Sequence, residues 1–343
     1  MKRGFFTLSF LVLTTIASLL LLLAGVCKFL SPKYFFPLAL LGIGFEWLLL
    51  INAVFLIVWL FTDNKRYFVI PLLAIVFNIG GLRKTFSHSS GRIKGENKIT
   101  VVSYNVGAFS GNRKEIIKFL RTTDADIVCL QEIVCSPKVG SLDDLKSSLN
   151  YPYSYIDFKQ FRTSRKYGMA VFSKYPILNK HTIQYESRTN QSDYCDVVVG
   201  KDTIRLFNNH LQSNRLTFED IQASSEMESV QRVGLKLKDA YPLRAGQARA
   251  VAKEIKKSPY IVIVTGDFND TPISYTYHTM SRGLSDAFLT AGGFMSLGHT
   301  FEKRGLGIRI DYILTSPQIS ATDFVVTKNR FSDHYPILTT LSW

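Results

Sequence analysis

Acidic residues are almost absent from the first quarter of this sequence. Residues 1–94 contain only Glu46 and Asp63 against ten lysines and arginines, so they carry eight of the fourteen net positive charges. Because most of these cations flank apolar segments, they indicate how the chain is oriented in a membrane. The rest of the chain carries the other six charges. A domain that is only mildly basic tolerates a polyanionic partner without demanding one.

Cysteine is also scarce, with four in 343 residues: Cys27, Cys129, Cys135 and Cys195. None forms a Cys-x-x-Cys pair, and their spacing fits no zinc-binding pattern. We therefore predict free and mostly buried thiols, while the short interval between Cys129 and Cys135 leaves a disulfide between them open. The sequence also lacks internal repeats and low-complexity tracts.

Three long apolar runs predict a transmembrane region over residues 1–85. They cover residues 5–26, 34–61 and 67–82, and a run of about 20 apolar residues is long enough to cross a bilayer. A cleaved signal peptide is the alternative for the first run, but that run is too long and no small-x-small cleavage site follows it cleanly. The third run is the shortest, so it is either a span or a re-entrant segment.

Three spans would place the two ends of this region on opposite sides of the membrane. Lys2-Arg3 and Lys65-Arg66 would then both face the cytoplasm, as the excess of positive charge in cytoplasmic loops requires. The sequence thus predicts a multi-pass protein of the cell (inner) membrane whose remaining residues are extracytoplasmic. Residues 86–97, rich in Ser, Gly and Lys, predict a flexible linker before a soluble domain.

The soluble domain, residues 98–343, is organised around the run Ile261-Val-Ile-Val-Thr-Gly266-Asp267-Phe-Asn269. Four successive β-branched residues predict a strand covered on both faces, and Gly266 permits a change of direction before the polar residues. Polar residues also lie at or near the ends of other predicted strands, namely Asn105, Glu132, Asn208, His210, Asp311, Asp333 and His334. Many strands with few helices between them predict an α/β fold of two packed sheets with helices outside.

The polar residues at these strand ends are the types that phosphoester hydrolysis needs. Several carboxylates that converge require a divalent cation, and an oxygen-rich site suits Mg²⁺ or Mn²⁺ better than zinc. A histidine that is oriented by an acid can act as a general base toward water. A second histidine and asparagine amides can stabilise the charge that develops on a phosphoryl oxygen. Together they indicate metal-assisted hydrolysis.

Seven motifs in this domain occur in the order of a known superfamily. They are Ser-Tyr-Asn105-Val, Leu-Gln-Glu132-Ile, Gly168-Met-Ala-Val-Phe-Ser-Lys-Tyr-Pro, Asn208-Asn-His210-Leu, Gly266-Asp267-Phe-Asn269-Asp, Arg309-Ile-Asp311-Tyr-Ile-Leu and Phe331-Ser-Asp333-His334-Tyr-Pro. The chain from residue 98 to 343 resembles the endonuclease/exonuclease/phosphatase superfamily, the deoxyribonuclease I-like group. The resemblance implies a four-layer α/β sandwich and Mg²⁺-dependent cleavage of phosphoester bonds.

The resemblance also implies roles for individual residues. Glu132 resembles the principal metal ligand, with Asn105 beside it and Asp333 as a further acidic ligand. His334 looks like the general base or the phosphate-activating histidine, oriented by Asp311. The remaining catalytic candidates are Asp267 and Asn269, which would position water and phosphate, and Asn208 and His210, which match an Asn-x-His form of the family. That form occurs in deoxyribonuclease I, sphingomyelinase and inositol-phosphatase-like members.

The leading interpretation is therefore a membrane-anchored, metal-dependent phosphodiesterase that acts as a nuclease. The first alternative is a phosphodiesterase or phosphatase for lipid headgroups or inositol phosphates, favoured by the membrane region and by His210. A non-catalytic binding module on a membrane stalk is the remote alternative, and the presence of all core acids and histidines argues against it. The expected partners are a phosphoester substrate and the lipid bilayer; no protein partner is inferable.

Overall fold

The computed structural model describes residues 2–87, 95–162, 165–185, 187, 190–215, 226–303 and 306–343. The chain divides into two compact units. The helical unit comprises Met1–Thr85, Leu216–Ala245 and Asp270–His278, and the α/β unit comprises Phe86–Arg215, Gly246–Asn269 and Thr279–Trp343. Most of the predicted linker, residues 86–97, lies outside the described residues.

Among the residues of the helical unit that the structure describes, one helix is long and apolar enough to cross a membrane by length and composition, over Phe5–Phe29. Its helices are α1 (Lys2–Val26), α2 (Phe36–Ile43), α3 (Phe45–Leu60), α4 (Val69–Phe77) and α5 (Ile79–Thr85). The predicted second span, residues 34–61, bends by 66° between α2 and α3, and the third bends by 58° between α4 and α5. There are up to three spans if each bent pair counts as one.

Buried asparagines join the helices of this unit. Ser18 Oγ of α1 donates to Asn52 Oδ1 of α3 at 2.8 Å, and Asn78 Nδ2, at the bend between α4 and α5, donates to the Leu21 carbonyl of α1 at 3.1 Å. Both asparagines are almost fully buried. Since interhelical hydrogen bonds of this kind hold helices together where the surroundings are apolar, α1 is bonded to both bent pairs.

The α/β unit is built on two mixed sheets of six strands each. The first sheet has the order β13-β14-β1-β2-β4-β3 and consists of β1 (Lys98–Asn105), β2 (Ile127–Cys135), β3 (Tyr153–Arg162), β4 (Arg165–Ser173), β13 (Ser320–Val326) and β14 (Ile337–Ser342). The second has the order β5-β6-β7-β8-β12-β9 and consists of β5 (Ile177–Ile183), β6 (Gln191–Val199), β7 (Asp202–His210), β8 (Ile261–Asp267), β9 (Ser285–Asp286) and β12 (Asp311–Thr315). A hairpin of β10 (Phe301–Lys303) and β11 (Leu306–Ile308) stands apart.

The sheets face each other across one apolar core, and helices flank them. The remaining helices are α6 (Arg113–Thr122), α7 (Leu142–Leu149), α8 (Glu226–Lys256), α9 (Tyr275–Met280) and α10 (Ala287–Ala291). Since α8 and α9 begin in the helical unit, only α6, α7 and α10 lie wholly in the α/β unit. Val101 of β1 packs in the core shared with β7 and β8, whereas its neighbour Val102 packs under α6 and α7. Successive residues of a strand point to opposite faces, so strands covered on both faces need aliphatic residues in succession. The fold confirms the predicted α/β sandwich.

The four cysteines are buried and free within the part of the chain that the structure describes. The alternative of a disulfide between Cys129 and Cys135 is therefore wrong. Both lie on β2, within the core of the α/β unit.

Candidate active site

Three polar residues meet where strands of the second sheet end. β7 and β8 run parallel, with His210 in register with Asp267. β12 runs antiparallel to β8, with Asp311 in register with the same Asp267. Because neighbouring strands lie about 4.8 Å apart, this register alone brings an imidazole and two carboxylates together.

Gly266 allows β8 to approach β7 closely at this point. Its φ is +121°, and a Cβ atom added there would lie 2.0 Å from the carbonyl oxygen of Asn209 on β7. A side chain would therefore separate the two strands directly before Asp267. The glycine of the Gly-Asp-Phe-Asn motif thus sets the spacing between His210 and Asp267.

The first sheet supplies Asn105 and Glu132 from its own parallel pair. Asn105, the last residue of β1, is in register with Gln131 of β2. The pairing of β2 with β4 shifts between Leu130 and Ile133, and Glu132 within this irregularity has a φ of +55°. A β-bulge commonly changes the direction of a side chain beside a functional site. Here it interrupts the regular alternation of side chains between the two faces of β2 at Glu132.

Asn105 connects the two sheets. Its Nδ2 donates to Glu132 Oε1 at 3.3 Å and to Asp267 Oδ2 at 3.0 Å. Its Oδ1 accepts from the Gly107 N–H at 3.1 Å, which fixes the orientation of the amide. Acids from opposite sheets are therefore held by one buried side chain.

His334 forms an acid–histidine pair with Asp311. Its Nδ1 lies 2.9 Å from Asp311 Oδ2, and its Nε2 lies 3.7 Å from Asp267 Oδ2. The Thr300 hydroxyl accepts from the backbone N–H of Asp311 at 3.0 Å, and the Phe301 ring lies 5.0 Å from the imidazole, edge to face. All these contacts restrict the imidazole to one orientation.

His210 forms a second acid–histidine pair, with Glu132. Its Nε2 lies 3.2 Å from Glu132 Oε1 and 3.9 Å from Asp267 Oδ2. The Asn190 amide nitrogen lies 3.3 Å from the same Nε2 and donates to the Leu211 carbonyl at 2.8 Å. Two acid–histidine pairs thus face Asp267.

Asn269 folds back onto Asp267. Its backbone N–H donates to Asp267 Oδ1 at 2.7 Å and its Nδ2 donates to Oδ2 at 3.0 Å. Its φ of +53° permits this turn, and asparagine adopts such a left-handed conformation more readily than most residues. Nδ2 also donates to the Leu211 carbonyl at 3.0 Å.

The pKa values of these groups differ strongly from ordinary ones. Burial alone would raise the pKa of Glu132, but the hydrogen bond and charge of His210, with His334 and Asn105, lower it to about 2. Burial raises the pKa of Asp267 to about 6, with Asp311 adding to the effect. Burial would lower the pKa of His334, but Asp311 and Asp267 raise it to about 10. In the same way Glu132 outweighs burial and raises the pKa of His210.

Among the described residues, Asn208 and Asp333 take no part in the hydrogen bonds of this cluster, although the charge of Asp333 contributes to the raised pKa of His334. The Asn208 amide donates to the Leu130 and Ala170 carbonyls and its Oδ1 accepts from Gln131, so its described contacts lie between the sheets. Asp333 is exposed, and its Oδ1 accepts from Ser332 at 3.3 Å. Among the described residues, neither has a hydrogen bond with the other candidates.

Two residues that contact the site lie outside the sequence motifs. Asn190 comes from the loop before β6, and Thr300 comes from the segment before β10. Their side chains contact His210 and the backbone of Asp311, and no pattern of hydrophobicity or spacing marks either residue.

The donor set suits a divalent cation. Ligand atoms of Asp267, Asp311 and His334 lie within 4.8 Å of one another and all three residues are buried. Glu132 adds a carboxylate beside them, and the Asn105 amide nitrogen holds this carboxylate and Asp267 in place. Burial disfavours the ionised form of such acids, as the raised pKa of Asp267 shows. A bound cation would offset this cost. Carboxylate oxygens are the donors that Mg²⁺ and Mn²⁺ prefer.

Solved structures share this fold at low sequence identity. The endonuclease/exonuclease/phosphatase from Beutenbergia cavernae is 15% identical with a TM-score of 0.53, and the match covers 72% of each chain. D. rerio TDP2 in complex with single-strand DNA product is 17% identical with a TM-score of 0.53, over 72% of this chain and 100% of that chain. A Bacteroides vulgatus protein of the same description is 18% identical with a TM-score of 0.52, over 72% and 99%.

The sequence itself also matches known families. Residues 5–85 match a domain of unknown function, DUF8431. No curated protein matches the chain. Residues 102–334 match the Endonuclease/Exonuclease/phosphatase family over more than half of the chain. With the fold and the strand-end cluster in agreement, the chain belongs to the endonuclease/exonuclease/phosphatase family.

Proposed function

We propose that this protein is a membrane-anchored phosphodiesterase that depends on Mg²⁺ or Mn²⁺, with nucleic acid as its leading substrate class. One observation carries the proposal: two acid–histidine pairs, His334 with Asp311 and His210 with Glu132, face the buried Asp267. Such pairs can hold and move protons on two sides of a phosphoryl group.

The proposed roles follow from the contacts of each side chain. Asp311 fixes Nδ1 of His334, so Nε2 is the atom that is free to meet the substrate. The raised pKa of His334 favours its protonated form, which suits contact with a phosphate oxygen, the second of its two expected roles. Asp267, to which both nitrogens of Asn269 donate, would orient water and accept its proton. His210 would stabilise or protonate the leaving oxygen.

The cation would be held chiefly by Glu132 and, once the amide turns so that Oδ1 faces the site, by Asn105, with the exposed Asp333 as a further acidic ligand. The cluster of Asp267, Asp311 and His334 is the competing location. When bound, the cation would neutralise the phosphate charge and lower the barrier to attack. Asn208 would act on this site indirectly, since its hydrogen bonds hold β2 and β4 against β7.

Two observations bear on the substrate. The solved D. rerio TDP2 complex contains a single-strand DNA product, which supports a nuclease. The apolar helix within Phe5–Phe29 would hold the chain at a bilayer, which supports the alternative of a phospholipid-headgroup or inositol-phosphate substrate.

The proposed topology has three spans and an extracytoplasmic catalytic unit. The hydrogen bonds from α1 to Asn52 and Asn78 support bent pairs that cross together with α1. Lys65 and Arg66 lie between α3 and α4, at the turn expected on the cytoplasmic side. A reporter that is active only in the periplasm, fused after Trp343, should be active. Activity of a cytoplasmic reporter alone would reverse the orientation.

A substrate panel on the full-length protein in lipid nanodiscs tests the function. Plasmid DNA, RNA, sphingomyelin, phosphoinositides and inositol phosphates are each supplied with Mg²⁺ or with EDTA. We expect cleavage of nucleic acid that EDTA abolishes and that Glu132→Gln removes, while the surface variant His181→Ala keeps it. Cleavage of the lipid or inositol substrates alone would establish the alternative. If nothing is cleaved, the protein is the non-catalytic module and the proposal fails.

A further inference from the structure

The nine residues after Asn269 belong to the helical unit. Asp270–His278 clusters with Met1–Thr85 and Leu216–Ala245. Asp270, Ile273 and Tyr277 are 3%, 2% and 2% exposed. A segment that follows a catalytic motif is usually a surface loop, so its burial among helices needs a separate explanation.

Three separate parts of the N-terminal region hold this segment. After α1, the Cys27 thiol donates to the Ile273 carbonyl at 3.3 Å. On α2, the Gly42 carbonyl accepts from the Thr271 hydroxyl at 3.1 Å. On α5, a Cβ atom added at Gly81 would lie 3.3 Å from Ile273 Cδ1.

Aromatic contacts join the C-terminal end of Asp270–His278 to the N-terminal region as well. The Lys84 ammonium lies 5.2 Å from the centre of the Tyr277 ring. The Phe29 ring meets the His278 ring edge to face at 5.2 Å. Residues that lie far apart in the N-terminal region therefore contact two adjacent residues, Tyr277 and His278.

A buried ion pair holds the start of the segment from its other side. Arg244 on α8 lies 3.2 Å from Asp270 Oδ2, and both side chains are at most 2% exposed. The guanidinium also lies over the Tyr241 ring at 4.5 Å, and Tyr241 packs with Ala39 of α2. Loss of either partner of a buried pair leaves an uncompensated charge, so this pairing is hard to rearrange.

We infer that residues 5–85, which match a domain of unknown function, act as an intramolecular scaffold that folds Asp270–His278 and so fixes the chain directly after Asn269. A region that served only as a membrane anchor would need one apolar span. It would need no polar contacts with Asp270–His278. Here the Thr271 hydroxyl donates to the Gly42 carbonyl and the Ile273 carbonyl accepts from the Cys27 thiol. Each of these buried groups would be left unpaired without the scaffold. The consequence for catalysis rests on the proposed function, since Asn269 supports Asp267.

Two adjacent glycines on α5 give a matched test. A Cβ atom at Gly81 would meet the Phe45 ring at 2.8 Å and Ile273 at 3.3 Å, whereas one at Gly80 would have nothing within 4 Å. Gly81→Ala and Gly80→Ala gain the same helix propensity, so they differ only in this packing. Thr271→Val is the second variant, because it keeps the volume and removes the hydrogen bond to Gly42 from outside the helices.

Hydrogen exchange of the full-length protein in nanodiscs reads the segment directly. We expect amides of 270–278 to exchange at least about tenfold faster in Gly81→Ala and Thr271→Val, where a tenfold change corresponds to about 1.4 kcal/mol of opening free energy. In Gly80→Ala, the exchange rates of amides 270–278 should equal those of the wild type. The exchange rates of α1 peptides should be unchanged in all three variants. With a cleavable substrate, kcat should fall in the two test variants while KM changes less.

The exchange readout separates this inference from the proposed function. If the wild type cleaves nothing but the segment loosens in both variants, the scaffold stands and the function fails. If the segment exchanges as in the wild type in Thr271→Val and Gly81→Ala, the scaffold is refuted whatever the activity. Loosening of α1 peptides in Gly81→Ala would mark general damage to the bundle, and Thr271→Val then decides alone.

Discussion

The pair formed by His334 and Asp311 makes the sharpest prediction about catalysis. The Nδ1–Oδ2 distance of 2.9 Å and the burial of both residues mean that Asp311 fixes both the orientation and the protonation of the imidazole. Asp311→Asn keeps the volume but presents an amide that can offer an N–H to Nδ1. The imidazole would then turn or take the wrong tautomer.

The magnitude follows from the way such pairs act. Loss of the acid in a buried acid–histidine pair lowers kcat by about 10⁴-fold, so we expect Asp311→Asn to cost about 10³–10⁴-fold in kcat/KM. His334→Ala should cost a similar factor. Because the two residues act as a unit, the double variant should be no worse than the poorer single variant by more than about tenfold. Additivity would instead predict a loss of about 10⁶-fold or more, a difference of several kcal/mol.

The assay is a double-mutant cycle on kcat/KM with one soluble phosphodiester. His210→Ala combined with either variant should deepen the defect, because His210 pairs with Glu132 on the other side of Asp267. His181→Ala and Asp143→Asn, both at exposed positions, control for the loss of any histidine or acid. Additive losses for Asp311 and His334 would show that they are uncoupled, and the assignment of His334 would have to be withdrawn.

Three further predictions concern metal binding, the buried ion pair and pH. Glu132→Gln should weaken Mg²⁺ binding by more than about 100-fold, since even outer partners of ligands are worth 10–100-fold; calorimetric titration with Mg²⁺ measures it, and an unchanged affinity would favour the cluster at Asp311. Arg244→Met should lower the free energy of unfolding in detergent by about 3–5 kcal/mol, whereas Lys257→Met, which breaks the exposed pair with Glu254, should change it by less than about 1 kcal/mol. Burial raises the pKa of Asp193 from 3.8 to about 7, so the stability that its protonated form contributes is complete below pH 3.8 and is lost as the pH rises through 7. Relative to Asp193→Asn, the wild type should therefore lose up to about 4 kcal/mol over that window; denaturation curves at pH 4 and pH 8 that move in parallel would contradict it.

The sequence predicts the positions of the strand-end residues well because two simple regularities coincide. An aliphatic run such as residues 261–264 must be a covered strand, and the polar residue after it must lie at the rim of the core. Parallel neighbours then bring His210 and Asp267 into register. The two packed sheets follow from the same regularities.

Local backbone geometry and long-range packing are harder to predict. Asn208 and His210 are equivalent in the sequence pattern, yet Asn208 bonds to β2 and β4 because the opposite sheet is already within reach at that depth. The bend between α2 and α3 falls at Gly44, but a glycine in an apolar run is also compatible with a continuous helix, so the sequence does not predict the 66° change of direction. Nothing in the sequence of Asp270–His278 indicates that it lies among the N-terminal helices.

Each acid–histidine pair takes one partner from each sheet. Glu132 belongs to the first sheet and His210 to the second, while Asp311 belongs to the second and His334 precedes β14 of the first. A slip of one residue moves a strand by about 3.3 Å, which would break the pair to which that strand contributes. A chain in which only one sheet has formed therefore has no complete pair. Hydrolytic activity should arise only when the sheets dock, so an incompletely folded chain would be harmless to the phosphoesters of the cell that makes it.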